Sequence, residues 1–313
     1  MTSAVPLVTI LLATRNGAAF LDEQLASLLS QTHKNWRLRV SDDGSCDTTL
    51  RILEAFQDKI GVDRLTICQG PNRGATANFL SLLEGTGTQD GCLAFCDQDD
   101  VWLSEKLERA VSQIAGAPGP VLYACRAVIA DSGLAGDQIS ALPMRALGLD
   151  HALAENVISG NAMVLDAKAA AVLRVALAGC LDREILEAGY HDWWVYQVIA
   201  ASGGRVVVDA VPGLRYRQHD GNVVGSGQAK GRWRSRVARA LGGSYGRALR
   251  VQALGLLATQ GVDRAAWQKA AALLHLRDVP IWRRPLLMKW LGIYRQKRGE
   301  DLALKLLMLF GRV

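Results

Sequence analysis

The six cysteines, Cys46, Cys68, Cys92, Cys96, Cys125 and Cys180, contain no C-x-x-C pair. Without that spacing there is no case for a dithiol redox site or a cysteine zinc site, and most of these residues lie in apolar runs. They are expected to be buried, reduced thiols in a cytoplasmic protein. No run of 18 or more apolar residues occurs, so no membrane-spanning helix is expected. The early apolar stretch AVPLVTILLA lacks a basic leader and a small-residue cleavage site, and it reads as a first strand, not a signal peptide. No tract is polar enough to require disorder. No known nucleic-acid-binding motif appears, so nucleic acid is not expected as a partner.

What the chain does have is a core and an uneven charge. Half of its 313 residues are hydrophobic, enough for one large α/β domain or a domain with an appendage. The formal charge is +6. Residues 226–313 hold 18 basic and 4 acidic side chains, whereas the rest holds 18 basic and 26 acidic. An acidic body thus carries a strongly basic segment, a pattern that suggests an anionic surface as partner.

The body alternates. LVTILLA (7–13) is β-branched and continuously apolar, as a buried parallel strand should be. FLDEQLASLLSQ (20–31) puts Leu21, Leu25, Leu28 and Leu29 on one helical face. RLRV (37–40) is a strand running into SDDGSCDTT, where Asp42 forms a turn and Ser45 or Asp47 can cap a helix to about 58. Then follow a strand at 65–69, a turn and helix at 71–85, a strand at 92–96, a helix at 104–114 and a strand at 121–130. This rhythm predicts a mostly parallel sheet flanked by helices. Such sheets bind ligands beyond the carboxyl ends of their strands. SDDGS and DQDD both follow strands directly, so both should face one crevice.

DQDD, residues 97–100, sets three carboxylates among four residues. Like charges so close repel unless a cation sits among them. Carboxylates are hard ligands, suited to Mg²⁺ or Mn²⁺. On an irregular turn, D-x-D can send one carboxylate to a ribose hydroxyl and the other to a metal that bridges to a diphosphate. The plainer alternative is that Asp99 and Asp100 only stabilise the start of the helix at SEKLERAV.

Taken in order, ILLATRNGAAFLDEQLASLLSQT, VSDDGSCDTT, NRGATANF, FCDQDDVW, SGNAMV, HDWWVYQVIAASGG and YRQHDGNVVG resemble the family 2 glycosyltransferases of GT-A fold, in particular their rhamnosyltransferase-like bacterial branch. The likeness spans roughly residues 7–225 and implies a catalytic domain over 1–225 with a basic helical segment at 226–313. It implies that Ala13, Thr14 and Arg15 lie beside the nucleotide base, that Asp43 binds the base imide, and that Asn72, Arg73 and Gly74 line the donor cleft. Asp97 would face the ribose and Asp99 the metal. Asp192 matches the catalytic base, and His219 a late histidine that completes the metal site. Many relatives carry Tyr where Arg15 stands, and Glu-Asp where His191-Asp192 stands, so His191 either tunes the base or packs. The donor implied first is dTDP-rhamnose, and the acceptor a glycan or lipid-linked precursor.

The residue types suit that chemistry independently. Transfer from a sugar nucleotide needs a cation where charge develops on the β-phosphate, and a carboxylate to deprotonate the acceptor hydroxyl. Asp192 could instead cap the helix that follows, and His219 could be a loop residue. Trp193 or Trp194 could stack on an acceptor sugar, or belong to the core. A catalytically silent sugar-nucleotide or glycan binding module stays open as an alternative. A nucleotidyltransferase is a weaker enzyme alternative, because ATRNGAAF supplies no basic, Gly-rich activation loop. In the tail, Leu286, Trp290, Ile293 and Tyr294 make an apolar stripe flanked by Arg283, Arg284, Lys289, Arg295 and Lys297. That pattern suits peripheral binding at the inner face of the cytoplasmic membrane. The alternative is a helical appendage packed on the body or on a second copy of the chain.

Overall fold

The computed structural model describes residues 5–219 and 244–313. The sequence-derived boundary at 225, and the first part of the basic segment, lie outside the described residues.

The chain opens with β1 (Val8–Thr14), α1 (Leu21–Leu29), β2 (Trp36–Asp42), α2 (Thr49–Ile60), β3 (Leu65–Gln69), α3 (Ala75–Glu84) and β4 (Cys92–Asp97). Next come β5 (Val101–Trp102), α4 (Lys106–Ile114), β6 (Val121–Ala130), β7 (Gln138–Ile139), α5 (Leu149–Ala152), β8 (Met163–Leu165), α6 (Ala167–Ala178), α7 (Arg183–Glu187), α8 (His191–Ala201) and β9 (Arg205–Arg217). Among the described residues four helices finish it: α9 (Ser244–Ala258), α10 (Arg264–Leu274), α11 (Arg284–Leu291) and α12 (Arg298–Leu309).

One sheet takes the order β3-β2-β1-β4-β8-β6-β9-β5, with β7 beside β6. All seven residues of β1 are buried, because it is a central strand with β2 and β4 parallel on either side. That is the environment its unbroken apolar run demands. The expected parallel rhythm holds for β1 to β4 and for β6 with β9. The short strand β8 was not expected. It pairs antiparallel with both β4 and β6, so the sheet is mixed at its middle. Helices α3, α6 and α8 pack on one another and on the sheet. Phe79, Leu80, Leu82 and Leu83 of α3 are all buried, and full burial of such side chains contributes about 1.5–3 kcal/mol each.

The C-terminal helices share the body's core. Leu249, Ala253 and Leu256 of α9 join the same buried cluster as β1 and α8, and α9 touches α7 and α8. The stripe read from the tail is broken. Gly292 adopts the left-handed conformation, φ 67°, and ends α11, so Ile293 and Tyr294 are not on that helix. Ile293 is buried, and the Tyr294 hydroxyl donates to Ala146 O at 2.7 Å. Cysteines 92, 96 and 125 are buried free thiols as expected, whereas Cys46 and Cys68 are exposed.

Candidate active site

The parallel register sets Thr14 opposite Asp42 and Ala13 opposite Asp97, so the loops after β1, β2 and β4 leave the sheet at one edge. A cavity of about 910 Å³ opens there, a size suited to a small-molecule ligand. Ala13, Thr14, Arg15, Asp43, Gly74, Asp97, Asp99, Asp192 and Trp193 line it together.

Each loop is held by polar contacts. Asp42 accepts from the Ser45 amide at 2.9 Å and from its hydroxyl, which makes it the turn former the sequence suggests. Asp43 accepts the amides of Asn72 (2.6 Å) and Gly74 (2.7 Å), one on each carboxylate oxygen. The NRG segment is therefore wrapped around Asp43, and Asn72 takes a positive φ of 55° to make the turn. Gly74 alone of the three lines the cavity. Arg73 turns outward to Glu187, 2.9 Å away, so its place in the donor cleft is not what the structure offers. Gln98, which the sequence reading passed over, bridges two loops. Its Oε1 accepts from the Thr14 hydroxyl (2.6 Å) and the Arg15 amide (2.8 Å). Its amide group donates to Arg15 O.

The acid cluster closes on itself. Carboxylate oxygens of Asp97, Asp99 and Asp100 all lie within 4.8 Å of one another. His219 Nε2 is 2.8 Å from Asp99 Oδ2, as the pairing of DQD with YRQH requires. Asp100 is fully buried and bound by the Asn161 side-chain amide and by the Arg217 amide at 3.1 Å. Burial, then the neighbouring Asp99, pushes its carboxyl up to about 7. Asp97 is held well above the usual carboxylate range by burial and by Asp100, Asp99 and Asp192. Beneath the cluster lies Lys106, fully buried, its ammonium 3.3 Å from the centre of the Trp102 ring and donating to Asn161 O. Burial lowers it to about 8. Arg217, also buried, donates through Nε to Asp99 O at 2.8 Å and so ties the acidic loop to β9. Sequence reasoning missed Asn161, Lys106 and Arg217, although SGNAM and YRQH contain two of them.

Asp192 occupies the first turn of α8. Its carboxylate accepts the Trp193 amide at 2.7 Å. Burial raises its pKa to about 6, against the lowering effect of N–H groups from Trp193, Gly160 and Asn156. Its neighbour His191 packs: the ring stacks on Phe79 with centroids 4.2 Å apart and meets the edge of Phe95. Burial drops that imidazole to about 3, so it is neutral. Trp193 lines the cavity while its indole N–H donates to Ala152 O at 2.6 Å. Trp194 does not reach the cavity. It is 2% exposed and donates to Thr259 Oγ1, so no face is free for a sugar.

A Cβ on Gly160 would lie 2.6 Å from His191 Nε2 and 3.5 Å from Asp192 Cβ. The G of SGNAM is therefore a close-approach position. Gly160→Ala should displace the start of α8 and lower kcat about tenfold, since a misplacement of about 1 Å can cost up to ~10²-fold. Unchanged kcat and Tm in that variant would show that α8 is not held by this contact.

The C-terminal segment supplies part of the wall as well. Tyr245 and Arg295 line the cavity with Glu155. Arg295 pairs with Glu155 (2.6 Å) and Glu300 (2.8 Å), which holds the α11–α12 connection against the body. Neither residue was among the expected site residues, because they follow the other lining residues by a long stretch of sequence and carry no motif.

A crevice at the carboxyl ends of parallel strands, with an acidic turn and a half-buried carboxylate on α8, is the arrangement of a GT-A fold. The comparisons agree. Residues 9–179 match the family model described as Glycosyl transferase family 2, more than half the chain, and the protein belongs to that family. It is 27% identical over 228 residues to the dTDP-rhamnosyl transferase RfbG of Shigella flexneri, covering 69% of this chain and 74% of that one. It is 29% identical over 131 residues to the UDP-Glc:alpha-D-GlcNAc-diphosphoundecaprenol beta-1,3-glucosyltransferase WfgD of Escherichia coli, covering 42% of this chain and 49% of that one. Among solved structures, S. aureus TarS 1-349 in complex with UDP-GlcNAc has a TM-score of 0.57 at 16% identity, covering 90% of this chain and 78% of that chain. The protein is a glycosyltransferase of family 2 with the GT-A fold.

Proposed function

We propose that this chain transfers a sugar, rhamnose from dTDP-rhamnose first among candidates, to a hydroxyl of a cell-surface glycan precursor, with inversion at the anomeric carbon. The observation that carries the reading is the single cavity shared by the loops after β1, β2 and β4 and by Asp192 of α8. Support for the donor comes from the likeness to RfbG. Support for a lipid-carried acceptor comes from the likeness to WfgD, and the reaction would then take place at the inner face of the cytoplasmic membrane.

In this reading Arg15, Thr14 and Asp43 flank the base, and Asp97 meets the ribose. The donor set of the acidic loop suits a hard divalent cation: three carboxylates lie within one another's reach, beside an imidazole on Asp99. Asp99 and His219 would hold Mg²⁺ or Mn²⁺, with Asp100 excluded because its oxygens are already taken by Asn161 and Arg217. The ion, when bound, supplies Lewis acidity to the oxygens of the leaving diphosphate. Asp192 accepts the proton of the acceptor hydroxyl as its oxygen bonds to C1, while the bond from C1 to the β-phosphate oxygen breaks. Trp193, on the cavity wall, would meet the acceptor. Residues 1–225 would carry the catalytic domain, and the segment beyond would complete its wall through Tyr245 and Arg295.

The test is a panel of sugar nucleotides, scored by nucleoside diphosphate release with and without divalent metal. Metal-dependent release with a preference for dTDP-rhamnose is expected. Tight donor binding with no release from any donor would favour a silent binding module. Preference for a UDP-sugar would overturn the donor assignment alone.

A further inference from the structure

Two C-terminal helices are apolar on the side that faces water. In α11, Leu291 is buried and Leu287 and Met288 pack against the core. Its other side carries Leu286 (72% exposed) and Trp290 (51%), preceded one turn earlier by Trp282 (68%). In α12, Leu304 and Met308 are buried, whereas Leu302, Leu306 and the C-cap residue Phe310 are exposed. Each outward set repeats at four-residue steps, so each lines one face of its helix. The two helices touch, with Arg284 Nη1 donating to Leu309 O at 2.8 Å. A helix apolar all round is normally covered. Single exposed apolar residues are common, but grouped ones mark an interaction surface.

The exposed charge around these residues is mostly basic; Asp278, one turn before Trp282, is exposed but sits against His275 and Arg277. Arg283, Lys289, Lys297, Arg298 and Arg312 are all exposed. The acids of this stretch, Glu300 and Asp301, are turned to Arg295 and to Lys305 and Arg145. Residues 244–313 together hold 13 basic and 4 acidic side chains. Tryptophan, leucine and phenylalanine beside exposed cations match the boundary between anionic headgroups and acyl chains. No helix among the described residues is long and apolar enough to cross a membrane, so contact through these helices would be at the surface.

We infer that the outward faces of α11 and α12 dock this enzyme on an anionic lipid bilayer. This deepens the membrane placement proposed above to a particular face, and it rests on that placement but not on the chemistry. The connection between the docking helices carries Arg295, so the same unit that would rest on lipid also forms a wall of the catalytic cavity.

The experiment is flotation of the full chain with phosphatidylcholine vesicles, with and without phosphatidylglycerol. Trp282→Ser, Leu286→Ser and Trp290→Ser are combined in one variant and Arg283→Glu with Lys289→Glu in another. The wild type should float with the anionic vesicles and less so as salt rises. The first variant should bind at least tenfold more weakly at every salt. The second should lose the preference for phosphatidylglycerol. All substituted side chains are exposed, and circular dichroism with sugar-nucleotide binding checks that the fold persists. Wild type that stays unbound at low salt, or an apolar variant that floats as well as wild type, overturns the inference. So does a wild-type dimer in sedimentation velocity that the apolar variant dissolves, since the face would then join two copies. Nucleoside diphosphate release in solution reports the chemistry separately, so the docking and the reaction can fail independently.

Discussion

Asp192→Asn is expected to lower kcat by about 10²–10⁴-fold, the range that a positioned general base contributes. The substitution keeps the shape of the side chain and removes its basicity. One oxygen remains to accept the Trp193 amide, so the first turn of α8 should persist, with a small fall in Tm where the new amide group meets the N–H groups of Gly160 and Asn156. Donor affinity should hold within a few-fold, because the base and phosphate loops arise from other elements. The pH profile gives a second readout. Burial raises the Asp192 carboxyl to about 6, above the usual carboxylate range near 4. A base works only when deprotonated, so wild-type kcat/KM should be level above that value and fall as pH drops through about 6. The asparagine variant should lose that limb along with most of its rate. Collapse of nucleotide affinity together with rate would instead make Asp192 a donor-binding or structural residue.

Much of this site was legible because its elements are short, apolar and followed at once by polar turns. The run VTILLA could only be a strand buried on both faces, and β4 likewise; their ends then placed Arg15 and Asp97 at one edge. What was not legible depends on contacts between distant segments. Met163–Leu165 is too short to show any period, so the antiparallel β8 was invisible. Trp194 and Trp193 are adjacent in sequence, and only the packing of α9 shows that the former is sealed in the core. Arg73 lies within a motif, yet Glu187 draws it away. The tail stripe was misread for a local reason that the sequence did display. Gly292 follows KWL, and a glycine there is a helix stop in the left-handed conformation; counting on to Ile293 and Tyr294 ran the helical period past it. Nothing in the local sequence marks Lys106 and Arg217 for burial, but their neighbours bury them against the acidic loop.

Asp99→Asn should abolish most metal-dependent turnover, by about 10²–10³-fold if its loss resembles removal of one electrostatic contact in a transition state. Wild type should lose activity in EDTA and regain it with Mg²⁺ or Mn²⁺. A readout apart from turnover is thermal: a ligand that binds only the folded state stabilises it by about 2.7 kcal/mol at 100 times its Kd. Mn²⁺ with nucleoside diphosphate should therefore raise the Tm of wild type and have little effect on Asp99→Asn. The partly exposed side chain of Asp99 gives no reason for the variant to unfold. Asp100→Asn is the contrasting case. That side chain is fully buried, and it receives N–H donors from Asn161 and Arg217. An amide in its place would turn one donor toward another, at about 1–3 kcal/mol for each buried group left unsatisfied. Asp100→Asn should lower Tm with or without metal, whereas Asp99→Asn should lower turnover and leave the metal-free Tm in place. Full activity of wild type in EDTA, or equal loss of Tm in both variants, would mean that the cluster is a structural knot. Lys106 and Arg217 would then be its balancing charges, with no ion required.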